Sequence, residues 1–141
     1  MPYFIAPFVG WLASGCIKFA IHFMKYGKDA SQHMGNGGFP STHTATVSSV
    51  AFLIGFGEGW LSPVFGLAAG VLFIVIIDAT GLRIAVGKQA AAVNKMNVDA
   101  ADYQPLRERM GHTIVEILGG LGVGLLVSVL LFGLFTWWGW V

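Results

Sequence analysis

Long apolar stretches separated by short polar segments dominate the chain. Three stretches carry one formal charge each: residues 2–24 with Lys18, residues 44–77 with Glu58, and residues 113–141 with Glu116. A membrane-spanning helix needs about 20 consecutive, mostly apolar residues. The pattern therefore predicts helices that cross a membrane.

Turn residues divide these stretches into four helices. Glu58 lies between Gly57 and Gly59, which indicates a turn inside the middle stretch. The predicted helices are Tyr3–Met24, Ser41–Phe56, Leu61–Thr80 and His112–Trp138. Their apolar segments predict an all-α integral membrane bundle of about four transmembrane helices that forms one domain over residues 1–141. A short amphipathic helix, Ile84–Met96, is predicted in the long charged loop.

The composition supports a membrane protein and argues against an average soluble domain or a nucleic-acid-binding protein. Hydrophobic residues make up 55% of the chain and charged residues 11%, whereas an average soluble domain is about a quarter charged. The net charge of +1 contains no block of like charges, so we expect no nucleic-acid partner. The single cysteine, Cys16, excludes an intrachain disulfide and a cysteine-based metal site.

The charges fall in two windows. Lys25, Lys28 and Asp29 form the first, and nine charged residues from Asp78 to Arg109 form the second. Four spans place both windows on one side of the membrane. The two windows hold seven of the eight Lys and Arg residues. The positive-inside rule therefore predicts that these loops lie in the cytoplasm and that both termini lie outside. Cations that bind an anionic substrate would weaken that inference. The predicted location of the protein is the inner cell membrane.

The first predicted helix carries a polar face. Lys18, His22 and Lys25 follow an i, i+4, i+7 spacing. A charge at the centre of a membrane helix costs about 2.5–3.5 kcal/mol on insertion scales. Lys25 can extend its amine to the surface, but Lys18 lies deeper, which favours a functional role for it. His22 fits a packing role better.

The segment from Gly37 to Thr44 predicts an irregular loop that leads into a helix. Ser41 or Thr42 can cap that helix, and His43 falls in its first turn. A helix N-terminus offers free N–H groups and the positive end of the helix dipole to an anion. A plain capped helix with an incidental histidine stays open as the alternative.

Two further pairs suggest chemistry. His112 and Glu116 are four residues apart, so a carboxylate can orient the imidazole as a base or nucleophile. A buried structural pair or two metal ligands are the alternatives, although no HExxH spacing is present. Asp78 and Arg83 end the third helix, and arginine commonly holds phosphate. A simple ion pair of Asp78 with Arg83 or Lys88 explains the same residues.

Together these residues resemble the type-two phosphatidic acid phosphatase superfamily, which includes the vanadium haloperoxidases, and more closely its divergent membrane branch. The matching elements are Lys18, the block Pro40-Ser41-Thr42-His43, the stretch from Asp78 to Arg83, the block Gly87-Lys88-Gln89-Ala90, and the segment Gly111–Gly120 that contains His112 and Glu116. The wider family has an arginine at the position of Leu106, and this chain has Arg107 next to it.

The resemblance implies a metal-independent phosphatase without a cofactor. His112 would attack phosphorus and form a phosphohistidine, Glu116 would orient it, and His43 would protonate the leaving oxygen. Phosphate would be held by Lys18, Ser41, Arg83 and Lys88, and Asp78 would have a structural or orienting role. The implied substrate is a lipid phosphate or prenyl (di)phosphate that reaches the site from the surrounding membrane lipids.

A non-catalytic alternative remains at this stage. A phospholipid-binding or lipid-transport membrane protein would use the same polar cluster as a headgroup site. The repeats Gly66-x-x-x-Gly70 and Gly120-x-x-x-Gly124 are typical of helix-packing faces and are compatible with a homo-oligomer.

Overall fold

We describe residues 1–27, 38–99 and 102–140 of the protein from a computed structural model. Every regular element in these residues is helical, which confirms the all-α prediction. The main helices are α1 (Ala6–Tyr26), α2 (Thr42–Glu58), α3 (Pro63–Ile77), α4 (Arg83–Met96) and α5 (Ile114–Trp137). A 3₁₀ turn, Tyr3–Ile5, precedes α1. Lys28, Asp29 and Gly37, on which part of the charge and loop predictions rest, lie outside the described residues.

Three segments are long and apolar enough to cross a membrane: Tyr3–Lys25, Pro63–Met96 and Ile114–Trp137. The remaining helix, α2, has 17 residues and is not among these spans. It is instead a well-buried helix, with eight of its residues in the interior. The chain is thus a membrane protein in which α2 serves as the central packing element.

Small residues let the other helices approach α2 closely. A Cβ on Gly120 or Gly124 of α5 would collide with backbone atoms of α2, and a Cβ on Gly10 of α1 would do the same. Buried hydroxyls reinforce these contacts, since Ser49 donates to the Ala6 carbonyl at 2.9 Å. The Gly120–Gly124 pair is therefore a packing face within the chain, whereas a Cβ on Gly66 or Gly70 would meet no described atom within 4 Å.

The third predicted helix does not end at Thr80. A π-helical turn, Asp78–Leu82, joins α3 to α4 without a break. Thr80 and Gly81 indicate an end in the sequence, but the Thr80 hydroxyl donates to the Ile76 carbonyl at 2.8 Å and stays within the helix. The predicted amphipathic helix exists as α4, and it extends the third span to 34 residues.

Hydrogen bonds between elements define the two ends of the bundle. At one end the Ser41 N–H donates to the Glu116 carbonyl at 2.8 Å, which joins the start of α2 to α5. At the other end the Tyr3 hydroxyl donates to Glu58 at 2.7 Å. The candidate residues from α1, α2, the π-turn and α5 all belong to the first end.

Candidate active site

The predicted pairing of His112 with Glu116 is present, with 2.8 Å between His112 Nδ1 and Glu116 Oε2. The pairing arises in a different way from the one predicted, in which His112 is the first residue of the last helix. Thr113 is the N-cap, α5 begins at Ile114, and His112 precedes the helix. Glu116, the third residue of α5, forms a capping box with Thr113 and accepts the Thr113 N–H at 3.2 Å. The same carboxylate oxygen therefore caps α5 and binds the imidazole.

The backbone around His112 is fixed as well. Its N–H donates to the Ala79 carbonyl of the π-turn at 3.0 Å. Gly111 has a φ of 86°, and a Cβ there would lie 2.8 Å from that same carbonyl oxygen. Only glycine fits this conformation and this space without strain. His112 is 9% exposed. Its backbone is held by the π-turn, and its largely buried side chain is held by Glu116.

His43 lies on α2, next to His112 in the site. Ser41 caps α2 and accepts hydrogen bonds from the Thr44 backbone N–H and from the Thr44 hydroxyl, which places His43 in the first turn as predicted. Its ring centroid lies 6.3 Å from that of His112. The two rings are neighbours, with their planes tilted by 59°.

The environment of His43 disfavours its charged form. His43 lies outside the three spanning segments, at the start of α2. Partial burial lowers its pKa below 6.5, and the nearby charges of Arg83, His112 and Lys18 lower it further, whereas Asp78 acts in the opposite direction. A bound anion would raise this pKa again, because it would stabilise the imidazolium.

Lys18 comes from α1 and is 7% exposed. It interacts electrostatically with Glu116 and with Arg107, and with His43 across the site. A buried cation in a spanning helix requires a compensating partner. Of the groups with which Lys18 interacts, Glu116 carries the opposite charge and can supply that compensation, whereas Arg107 carries the same charge.

Arg83 and Asp78 form the expected ion pair, with 2.5 Å between Arg83 Nε and Asp78 Oδ2. Both side chains are about one-third exposed. The π-turn separates them, and both interact electrostatically with His43. Lys88, by contrast, is exposed on α4, and no described contact joins it to the other candidate residues.

A cavity of about 220 Å³ opens beside His112 and Glu116. Gly38 and Ile84 line one side of it, and Arg109 and Met110 line another. A second cavity, of about 320 Å³, opens on the far side of His43 toward Trp11 and Val75. His112 and Glu116 thus line one cavity, and His43 lines the other.

Two contributions were missed by sequence reasoning. Arg107, next to the position where the wider family has an arginine, was given no role from the sequence, yet it interacts electrostatically with Lys18. Asn94 of α4 holds the loop that carries Arg107, because it bonds the Leu106 N–H at 2.7 Å and the Leu106 carbonyl at 2.8 Å. The Tyr103 hydroxyl donates to the same Asn94 side chain. Only the twelve-residue separation of Asn94 and Leu106 connects them in the sequence, and no local pattern reveals it.

No group of three or more His, Cys, Asp or Glu side chains is arranged to hold a metal ion within residues 1–27, 38–99 and 102–140. The residues that meet here are instead two histidines, a carboxylate paired with one of them, and a set of cations. Such a site is suited to binding an anion and to transferring a proton.

The fold and the site together define a small all-helical membrane protein with a histidine–glutamate pair and converging cations at one end of the bundle. Comparison with known proteins agrees with this class. The profile of the Divergent PAP2 family matches residues 1–127, and the chain belongs to that family. It is also 31% identical to YuiD, an uncharacterized membrane protein of Bacillus subtilis strain 168, over 82% of this chain and 84% of that protein. No solved structure matches the chain.

Proposed function

We propose that this protein is a metal-independent membrane phosphatase that hydrolyses a lipid phosphate or prenyl (di)phosphate. The observation that carries the proposal is the 2.8 Å bond between His112 Nδ1 and Glu116 Oε2, with the His43 ring 6.3 Å from His112. Membership of a family related to the type-two phosphatidic acid phosphatases supports the same reaction class.

The bond to Glu116 sets the chemistry of His112. A carboxylate accepts a hydrogen bond, so Nδ1 carries the proton and Nε2 keeps its lone pair. In the proposed first step, Nε2 attacks phosphorus and the bond from phosphorus to the leaving oxygen breaks. The Glu116 carboxylate stabilises the positive charge that forms on the imidazole.

His43 is the proposed acid for the same step. It gives its proton to the leaving oxygen, and the alcohol or the shorter phosphate departs. In the second step a water molecule loses its proton to His43 and attacks phosphorus, which breaks the P–N bond and releases inorganic phosphate. Such acid–base catalysis contributes roughly 10²–10⁴-fold.

The cations are proposed to hold the non-reacting phosphate oxygens. Lys18 is buried beside Glu116, and Arg83 is oriented by Asp78. Fixed donors aimed at a phosphoryl group stabilise the charge in the transition state. Ser41 contributes the start of α2, whose backbone N–H groups favour an anion. Lys88 is exposed and is the weakest of the proposed phosphate ligands.

The proposed location is the inner cell membrane, with the charged end of the bundle in the cytoplasm. The lysine and arginine distribution supports that orientation. Partners proposed for the chain are its lipid substrate and the surrounding membrane lipids. We also propose that the chain can associate with further copies of itself as a homo-oligomer.

The test is phosphate release by purified protein from phosphatidate, phosphatidylglycerophosphate and prenyl phosphates in detergent or liposomes. Wild type is expected to release phosphate with and without EDTA, and vanadate is expected to inhibit because it mimics five-coordinate phosphorus. His112→Ala is expected to abolish release while lipid phosphate binding persists.

Two results would contradict the proposal. Equal rates for wild type and His112→Ala would exclude His112 as the nucleophile. Lipid phosphate binding without release from any of these substrates would favour the rival function, a phospholipid-binding or lipid-transport protein. The rival function gives the His112–Glu116 pair no role. It therefore leaves unexplained why this pair lies among the cations of the site.

A further inference from the structure

An apolar groove runs along α2 away from His43. The cavity of about 320 Å³ that His43 lines shares Thr46 and Val47 with a second apolar cavity of about 330 Å³. Because the same two side chains border both cavities, the cavities adjoin along α2, and we treat them together as one groove. Its floor continues through Val50 to Ile54.

The walls of the groove come from α1 and α3, which each pack against α2. Pro7 lies on the α1 side, and Leu67 and Ala68 lie on the α3 side. The one hydroxyl on the shared floor, that of Thr46, donates to the Thr42 carbonyl at 2.8 Å. Its hydrogen bond is therefore satisfied within α2, and the groove presents an apolar surface.

The length of the groove suits a long chain. From His43 to Ile54 the helix rises about 16 Å, at about 1.5 Å per residue. This is about half of the roughly 30 Å thickness of the hydrocarbon core of a bilayer. The groove begins at a polar site and ends deep in the apolar region.

We propose that this groove binds one hydrocarbon chain of the substrate, with the phosphate in the cavity beside His112 and Glu116. The inference rests on the proposed function and names its substrate class as phosphates of a single long-chain alcohol, or of lipids that can place one chain here. His43 lines the groove and faces His112, so the oxygen that joins chain to phosphate would lie next to the proposed acid.

Because the bilayer is itself apolar, moving a hydrocarbon chain from lipid into the groove contributes little binding free energy. What it provides is position: a seated chain aligns the phosphate with His112, and such alignment speeds the reaction. The prediction is therefore a preference for long chains over short ones that disappears when the groove is filled.

Ala68→Phe fills the groove from α3. Gly70→Phe is the matched control, since it adds the same ring to the same helix where a Cβ meets no described atom within 4 Å. The measurement is the ratio of kcat/KM for hexadecyl phosphate to that for hexyl phosphate in detergent. Ala68→Phe is expected to reduce this ratio about tenfold or more, the scale on which apolar pockets discriminate, and Gly70→Phe is expected to preserve it.

An unchanged ratio in Ala68→Phe, with phosphate release intact, would overturn the groove and leave the proposed function standing. If wild type releases phosphate from neither ester, the proposed function fails, and a hexadecyl phosphate with a terminal diazirine then tests the groove alone. Cross-links to Val50 and Ile54 that Ala68→Phe removes and Gly70→Phe retains support it. Cross-links that are the same in all three proteins overturn it.

Discussion

The backbone N–H of His112 donates to the carbonyl of Ala79 at 3.0 Å. This bond ties the proposed nucleophile to the π-helical turn that also separates Asp78 from Arg83. A π-turn adds one residue to the helix and changes which carbonyls its own N–H groups reach. The irregular turn and the candidate site are therefore parts of one local structure.

Gly111→Ala tests this link. The φ of 86° and the 2.8 Å approach of a Cβ to the Ala79 oxygen both oppose a side chain here. We expect a loss of about 1–2 kcal/mol or more in the free energy of unfolding, together with reduced turnover because His112 moves. Thermal unfolding in detergent and phosphate release measure the two effects. Wild-type behaviour in both would show that the loop is less constrained than this geometry implies.

Glu116→Gln separates charge from shape. A glutamine can donate from its amide to His112 Nδ1, which would place the ring proton on Nε2 and remove the attacking lone pair. We expect turnover to fall on the order of 100-fold. Thr113→Ala is the control, because it breaks the same capping box and keeps the carboxylate. That variant is expected to lose about 1 kcal/mol of stability but to retain most turnover. A larger rate loss in Thr113→Ala than in Glu116→Gln would contradict the orienting role.

Arg83 is expected to matter more than Lys88 for phosphate. Arg83 is fixed by Asp78 at 2.5 Å, whereas Lys88 is exposed on α4. Arg83→Ala should weaken inhibition by vanadate about tenfold or more, the size of one charge-assisted hydrogen bond, and Lys88→Ala should weaken it less. Inhibition constants for the two variants decide the order, and an equal or reversed effect would place Lys88 at the phosphate.

The acid role of His43 predicts a defined pH dependence. An acid must be protonated to act, and the pKa of His43 lies below 6.5 because of burial and the nearby Arg83, His112 and Lys18. Its protonated fraction falls as pH rises, so kcat/KM is expected to decline with rising pH from the acidic side of 6.5. With a p-nitrophenyl ester, whose leaving group needs no proton, this decline and the penalty of His43→Ala should both shrink. An unchanged profile with that ester would assign the titration to another group.

Cysteine labelling tests the orientation of the bundle. In a Cys16→Ala background, Lys95→Cys on α4 should react from the cytoplasmic side, and Leu61→Cys, in the turn before α3, from the outside. Both positions are exposed, Leu61 fully so. The span Pro63–Met96, at 34 residues, is about 51 Å long and carries Lys95 beyond the hydrocarbon core. Labelling of both from one side would refute the spanning assignment, and exchanged sides would reverse the topology.

Periodicity and charge predicted the helices well because a bilayer imposes their length and polarity. The free-energy cost of a cation in an apolar helix singled out Lys18 as a candidate site residue, since such a cation needs a partner. The four-residue spacing was enough to predict that His112 pairs with Glu116. The predicted position of His112 as the first residue of the last helix was wrong, because His112 precedes that helix. The capping box at Thr113 explains the pairing better than two neighbouring positions on a helix face do.

The remaining features depend on tertiary contacts. Thr80 and Gly81 indicate a helix end, but hydrogen bonding and packing extend the helix through a π-turn. Asn94 holds a loop whose register no local pattern fixes. The groove exists only because α1 and α3 pack on either side of α2, so no segment read by itself could reveal it.

The order of the chain has a consequence for how the protein matures. Lys18 lies in the first helix, and His112 and Glu116 lie at the start of the last. A ribosome that has released only the first four helices has made Lys18, His43 and Arg83 without the proposed nucleophile. On the proposed mechanism, that partial chain would carry the phosphate ligands but no group to attack phosphorus, so hydrolysis would require the segment that holds His112 and α5.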